Sequence, residues 1–377
     1  MKKSLIALAV LTASGVSFAQ SSVTISGTFD PSVANAKTTY GNGNSVTQNT
    51  IRNNSQGTSQ VTIVGTEDLG GGLKANFLFE NDFDASKEST GNFASKGGEQ
   101  YVGLSGGFGA IQIGAANTPS LDVSGRTPFG TKIGSGFANG GGTGTGKGTA
   151  SYGVQGLGHV RENNSVVYTA PTMSGFTPKV GYQFNTDAIA EANVNAAATK
   201  RAAARTDLGL SYVNGPLTAV IAQYQQKDVY KQTHGYVAYQ IGALKATYGF
   251  NRDNRLATVT GKAYDATAVI DTTNNIVAYT GQAGYTTLTA GKLAGQNIAA
   301  DYALASNINL LANYGKLNDK TTDNFDRKIS AVGVKYELSP RTSLNARLVK
   351  LTVDNTNSQA IQAKEQKTTL FGLVHSF

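Results

Sequence analysis

The sequence predicts an all-β fold, a transmembrane antiparallel β-barrel, and three observations carry that expectation. Apolar residues alternate with polar ones at period two, short turns alternate with long polar connections, and beyond the N-terminus no apolar run is long enough for a membrane helix. Among its 377 residues, 45 Gly, 17 Tyr and 15 Phe suit many strands joined by turns.

The N-terminus is read apart from the rest. Lys2 and Lys3 precede the apolar run Leu5 to Leu11, and Ser17 and Ala19 are the small residues a cleavage site requires. This predicts an export signal over 1–19 and a single barrel domain over 20–377. Without Lys2 and Lys3 the formal charge falls from +8 to +6, still basic. The chain has no Cys, so neither a disulfide framework nor a thiolate metal site is available.

The strands follow from the alternation. Val23, Ile25, Gly27 and Phe29 alternate with Thr24, Ser26, Thr28 and Asp30; Phe176, Pro178, Val180, Tyr182 and Phe184 alternate with Thr177, Lys179, Gly181, Gln183 and Asn185. The same pattern starts again at Leu244 and at Ile308, so each segment has one apolar and one wet face. The wet faces carry Lys74, Asn76, Glu80, Lys179, Gln183 and Asp207. A soluble sandwich would turn the apolar faces inward, whereas a membrane barrel turns them to lipid. The aromatics decide for the barrel. Tyr40, Tyr101, Tyr168, Tyr182, Tyr212, Tyr336 and Phe377 lie near segment ends, as interfacial girdles require, and segments of roughly ten residues match the ~9–11 that cross a bilayer at a tilt.

The connections give a strand count. Tight turns are predicted at 68–73, 105–109, 172–176, 214–217, 241–244, 283–287, 304–309 and 338–342, with long polar stretches such as 36–57, 84–98, 186–205, 251–274 and 318–327 between them. Eight turns, with both chain ends on one side, make eighteen strands.

Particular stretches narrow the class. SSVTISGTFD, GTEDLGGGLKANFLFE (65–80), YVGLSGGFGAIQIG (101–114), RENNSVVYTAP (161–171), YELSPRTSLNA (336–346) and the terminal FGLVHSF resemble the general diffusion porins of Gram-negative bacteria, in particular the betaproteobacterial type, over almost the whole chain. The resemblance implies a homotrimer of sixteen-stranded barrels, each with its third loop, here 115–160, folded into the lumen as a constriction. Sixteen strands is therefore the expectation, with eighteen as the alternative should 283–309 add a hairpin. It further implies a water-filled channel in the outer membrane that passes small ions and hydrophilic solutes passively. Contacts with outer-membrane lipids and lipopolysaccharide are implied too, as is a terminal Phe377 read by the barrel assembly machinery. Neither catalysis, a cofactor nor a nucleic-acid partner is expected. The rival reading is a non-conducting barrel, its lumen shut by the third loop, that serves as a surface adhesin or structural anchor.

In such a channel, charged side chains lining a narrow wet passage select ions by sign. Arg161 matches a family arginine and shares the parity of Asn163 and Ser165, which faces it to the lumen. Gln60, Ala115, Val374 and Ser376 stand where family members commonly carry basic residues. The third loop sets Asp122 against Arg126, Lys132 and Lys147, while Lys74 and Lys179 add positive charge on wet faces. Together they predict a modest anion preference. Histidines occur only at 159, 234 and 375, without metal-ligand spacing or a nucleophile pattern. The stretch GGTGTGKGT (141–149) approaches a phosphate-binding loop, but Gly148 stands where the hydroxyl belongs, and the surrounding glycines disfavour the helix such a loop must open. The alanine-rich stretch 188–204 is expected as a loop cap or short helix near the mouth.

Overall fold

Strands that must keep one face in lipid and one in water have to pair all the way round, and the chain does so. The computed structural model describes residues 21–86, 98–124, 129, 161, 163–184, 204–226, 230–255, 259–271, 276–288, 291–320, 325–355 and 363–377. The first stave is broken in two, with β1 (Ser22–Phe29) and β2 (Pro31–Tyr40) on either side of Asp30. Its neighbour is built likewise from β3 (Ser45–Asn53) and β4 (Gln60–Gly70), separated by residues 54–59. β1 pairs with β4 and β2 with β3, so each couple runs along one stave.

Single-strand staves follow. β5 (Leu73–Asp82), β6 (Gln100–Gly106) and β7 (Gly109–Ala115) lead to a short helix, α1 (Pro119–Ser124). Then come β8 (Ser165–Thr169), β9 (Phe176–Gln183), β10 (Arg205–Asn214), β11 (Leu217–Gln226), β12 (Tyr230–Ile241) and β13 (Leu244–Arg255). β14 (Val259–Asp271) and β15 (Ile276–Leu288) pair only with each other, because β13 pairs directly with β16 (Gly291–Ala305). β17 (Ile308–Asp319), β18 (Phe325–Ser339), β19 (Thr342–Asn355) and β20 (Ala363–Ser376) complete the sheet. β20 closes it against β2, from Ser32 opposite Gly372 to Thr39 opposite Glu365, and touches β1 at Thr28 and Phe29.

The main sheet holds 18 strands, and because two staves are each made of two strands, the barrel has sixteen staves. Sixteen is thus correct and eighteen is not. The error lies in one turn. Residues 283–287 are not a turn but part of β15, with Ala283 opposite Tyr264 and Thr287 opposite Thr260. The ladder of β14 and β15 runs on to Asp271 opposite Ile276, well past 283–287, whose Tyr and Thr suit a strand. The other seven predicted turns join strands at one end of the barrel; at the other, two stretches expected as long connections are largely strand, 36–57 lying mostly in the paired β2 and β3 and 251–274 in the end of β13 and in β14, because polar residues on the lumen-facing parity of a strand read like a polar loop.

The distribution of polarity is inverted relative to a soluble protein. Val23 and Ile25 are each 64% exposed, and Val102, Ile113, Ile298, Leu348 and Phe371 also point outward. Asp207, Gln232, Asn297, Asn313 and Asn345 are buried on the inward parity. Outward aromatics flank the apolar band. Phe176 stacks against Tyr212 at 4.4 Å near the tight-turn end, and Tyr182 meets Phe184 edge-on at 5.1 Å near the other. Leu348, 57% exposed in mid-strand, tests the assignment. Leu348→Arg is expected to lower the unfolding free energy in lipid vesicles by about 2–4 kcal/mol, measured by denaturant titration; an unchanged midpoint would mean that this face does not meet hydrocarbon.

Candidate functional site in the barrel lumen

The chain leaving β7 turns into the barrel. Asn117 forms a single bridge with Arg161, and two residues later Pro119 opens α1, a position where its missing N–H costs nothing. The helix lies on the inner wall made by β9 to β12. Gly209 permits this, since a Cβ there would sit 2.5 Å from the Cβ of Pro119. Polar ties then hold the helix. The Ser120 N–H donates to Asp207 Oδ2 at 2.9 Å, the Ser120 hydroxyl meets His234 Nε2 at 3.1 Å, and Lys179 Nζ pairs with Asp122 Oδ2 at 3.2 Å. Below them Val123 packs among Val220, Ala222, Tyr236 and Ala238. Further along the same connection, Phe129 reaches another part of the wall, where the Arg347 guanidinium lies 5.0 Å from its ring centre and Ile329 and Leu351 surround it.

At the root of this connection is a charged cluster. Arg161 donates from Nε to Asn117 Oδ1 at 2.8 Å and from Nη2 to Glu80 Oε1 at 3.3 Å. Gln60 donates to Glu80 Oε2 at 2.7 Å. Glu99, in the connection preceding β6, accepts from the Asn117 backbone N–H at 2.9 Å and from its Nδ2 at 2.7 Å. Burial pushes the Glu99 carboxyl above the ordinary glutamate range and neighbouring Glu80 adds to the rise, against the pull of Asn117, Lys179 and Arg161.

A second inward fold lies beside it. The buried Asp30 carboxylate accepts the N–H groups of Gln56 at 2.6 Å and Gly57 at 2.5 Å, together with the Ser55 hydroxyl. Asn345 donates to Ser55 Oγ at 3.1 Å, which fastens residues 54–59 to the inner face of β19.

Of the residues singled out in the sequence, Arg161, Asp122 and Lys179 come together around the third connection. Lys74 keeps the lumen parity but stands near the tight-turn end, opposite Asp68 and Ser105. Arg126, Lys132, Lys147, the stretch 141–149 and the alanine-rich 188–203 lie outside the described residues. Phe377 is exposed, and its backbone exchanges two hydrogen bonds with Gly27, at 3.0 and 3.1 Å. Sequence reasoning missed Glu99, Asn117 and Arg347 as lumen residues. Arg347 was findable from its parity with Asn345, yet that face continues into Val349 and Leu351, so no wet face announces itself.

A closed barrel with apolar outer wall, polar inner wall and a connection folded across the interior defines a membrane channel. Comparison with known proteins agrees. The family model for Gram-negative porins matches residues 4–356, and the chain belongs to that family. It is 36% identical over 242 residues to outer membrane porin protein 32 of Delftia acidovorans, a match that spans 60% of each chain. An outer membrane porin protein of Bordetella pertussis is 28% identical over 92% of this chain and 93% of its own. Among solved structures, the anion-selective porin from Comamonas acidovorans has the same fold, with a TM-score of 0.68 at 22% identity, covering 95% of this chain and all of that one.

The raised Glu99 carboxyl sets a pH dependence. On acidification Glu99 loses its charge before an ordinary glutamate would, which leaves Arg161 less compensated, so the reversal potential in a salt gradient is expected to move toward anions at a pH above the ordinary glutamate range. Glu99→Gln should hold the acid-like value at all pH; a variant that titrates like the parent would assign the change to another group. Arg161→Ala is expected to move the reversal potential the opposite way, toward cations, and an unmoved potential would remove Arg161 from selectivity.

Proposed function

We propose that this outer-membrane porin passes small hydrophilic solutes and ions passively, with a modest anion preference, as a homotrimer and without catalysis or cofactor. The observation that carries the reading is the third connection, held inside a barrel whose apolar wall faces out. Such a passage sorts by size at its narrowest point and by charge along its wall. The preference is modest because Arg161 and Lys179, two of the lumen cations, each face a carboxylate, Glu80 and Asp122. Arg347, stacked on Phe129, adds positive charge farther round the wall. The likeness of the fold to the anion-selective porin from Comamonas acidovorans supports the same sign.

The surface and the terminus support the partners proposed for it. The barrel sits among outer-membrane lipids and lipopolysaccharide, and Phe377, exposed beside Gly27 at the closing seam, suits recognition by an assembly machinery. Apolar packing on the inner wall, where Leu317, Ile329 and Leu351 are buried with Phe129, favours a narrow lumen, and taken further it favours the closed adhesin or anchor. Planar-bilayer recording separates these readings: conductance steps in groups of three with an anion-directed reversal potential are expected, while a folded, silent barrel would leave the anchor. Deletion of Phe377 is expected to lower the yield of heat-modifiable oligomer in outer membranes severalfold, and undiminished assembly would exclude the terminal signal.

A further inference from the structure

Two segments fold into the lumen, the third connection and residues 54–59 beside the closing seam, and both come to rest on β19. Val123 packs against β11 and β12, whereas Phe129, farther along the same connection, is buried against β18 and β19. In the order of the sheet β18 stands four staves beyond β12. The third connection therefore has two separate footings on the inner wall.

The second footing is a fitted socket. Gly333 of β18 stands opposite Arg347 of β19, and a Cβ at 333 would lie 3.1 Å from Phe129 Cε1 and 3.3 Å from Arg347 Cγ. The missing side chain makes room for the ring. Arg347, 2% exposed, sets its guanidinium 5.0 Å from the ring centre, within cation–π range.

The seam fold uses the same strand two residues away. Gly372 of β20 stands opposite Asn345, and a Cβ there would lie 2.5 Å from Ser55 Oγ. Asn345 donates to that oxygen, and the Ser343 hydroxyl donates to Gln56 Oε1 at 3.4 Å. Asp30, which gathers Ser55, Gln56 and Gly57, also acts on the Arg347 charge. A buried guanidinium is costly without negative charge nearby, so Asp30 helps to keep Arg347 where Phe129 can stack on it.

From this arrangement we propose that Arg347 is a positioning residue of the constriction, steadied by Asp30 on one side and stacked on Phe129 on the other, so that the seam fold and the third connection set the width of the lumen together. The proposal rests on the porin reading and adds a determinant of solute size remote from the Arg161 cluster. Arg347 acts here through Phe129.

The test uses the purified full-length protein in planar bilayers, with open conductance and the exclusion of graded polyethylene glycols as readouts. Phe129→Ala is expected to raise the conductance and admit larger polymers. Gly333→Ala should do the same with every charge in place, because its methyl group occupies the space of the ring. Asp30→Asn is expected to give a similar shift, and adding it to Phe129→Ala should widen the pore little beyond Phe129→Ala alone, since groups in one network are not additive. Arg347→Lys keeps the charge but loses the planar face, so conductance should rise while the reversal potential stays nearer the parent than in Arg347→Gln. Conductance that does not rise in Asp30→Asn, or shifts that simply add in the double variant, overturn the proposal. Heat-shift gels confirm folding, and Asp30→Glu, which moves the charge without removing it, replaces Asp30→Asn in the cycle if that variant fails. The chain has no Trp, so Phe129→Trp supplies a single reporter of the socket. Its quenching by acrylamide is expected to rise severalfold when Asp30→Asn or its replacement is added, and equal quenching would overturn the link. A silent parent barrel would sink the channel reading, and the fluorescence result would then judge the coupling on its own.

Discussion

Every backbone N–H and C=O that crosses hydrocarbon must find its partner inside the protein, and that constraint forces the sheet to close. Closure here falls between the two ends of the chain, β20 against β2, with Gly27 and Phe377 exchanging hydrogen bonds at the seam. It is also the place where the ladder is interrupted, because β1 and β2 part at Asp30 and β3 and β4 part at 54–59. The Asp30 carboxylate satisfies two of the N–H groups released there, those of Gln56 and Gly57. A gap in the wall thus becomes an inward fold in which Asp30 takes up those two donors.

Once the wall is closed, the polar faces have only the lumen to occupy, and the third connection exploits them. Its ties are short-range and specific: Ser120 to Asp207 and His234, Asp122 to Lys179, Asn117 to Arg161 and Glu99. These groups are largely withdrawn from bulk water, where hydrogen bonds and ion pairs count for more and an unmatched charge costs more. The described part of the third connection is accordingly a braced element.

Charge is sorted by this architecture as much as polarity is. A formal excess of +8 says nothing about where the cations stand. Lys316, Lys350 and Lys367 face outward above the apolar band, while Glu80, Glu99, Asp122 and Asp207 gather around the third connection. Much of the basic character therefore belongs to the rim, and the lumen is the more balanced of the two surfaces. Ion preference in such a lumen depends on a few charged side chains along its wall, not on composition.

The sequence by itself determined the class of structure: period-two alternation sets which face each strand shows to lipid, and tight turns, five of them with glycine, fix seven of the reversals. Both are local properties, legible within ten residues. The strand count went astray only where Ala283 to Thr287 read as a turn but stands in the ladder of β15, because the choice between a turn and a strand there depends on the pairing partner. Arg161 and Lys179 were legible as lumen-facing by parity, and Asp122 only through the third loop that the resemblance implies, yet which carboxylate each cation meets was not. Glu80 reaches Arg161, and Asp122 reaches Lys179, across long stretches of chain. Only barrel closure and the inward path of the third connection decide those distances, since they bring together residues whose sequence separation carries no record of their nearness.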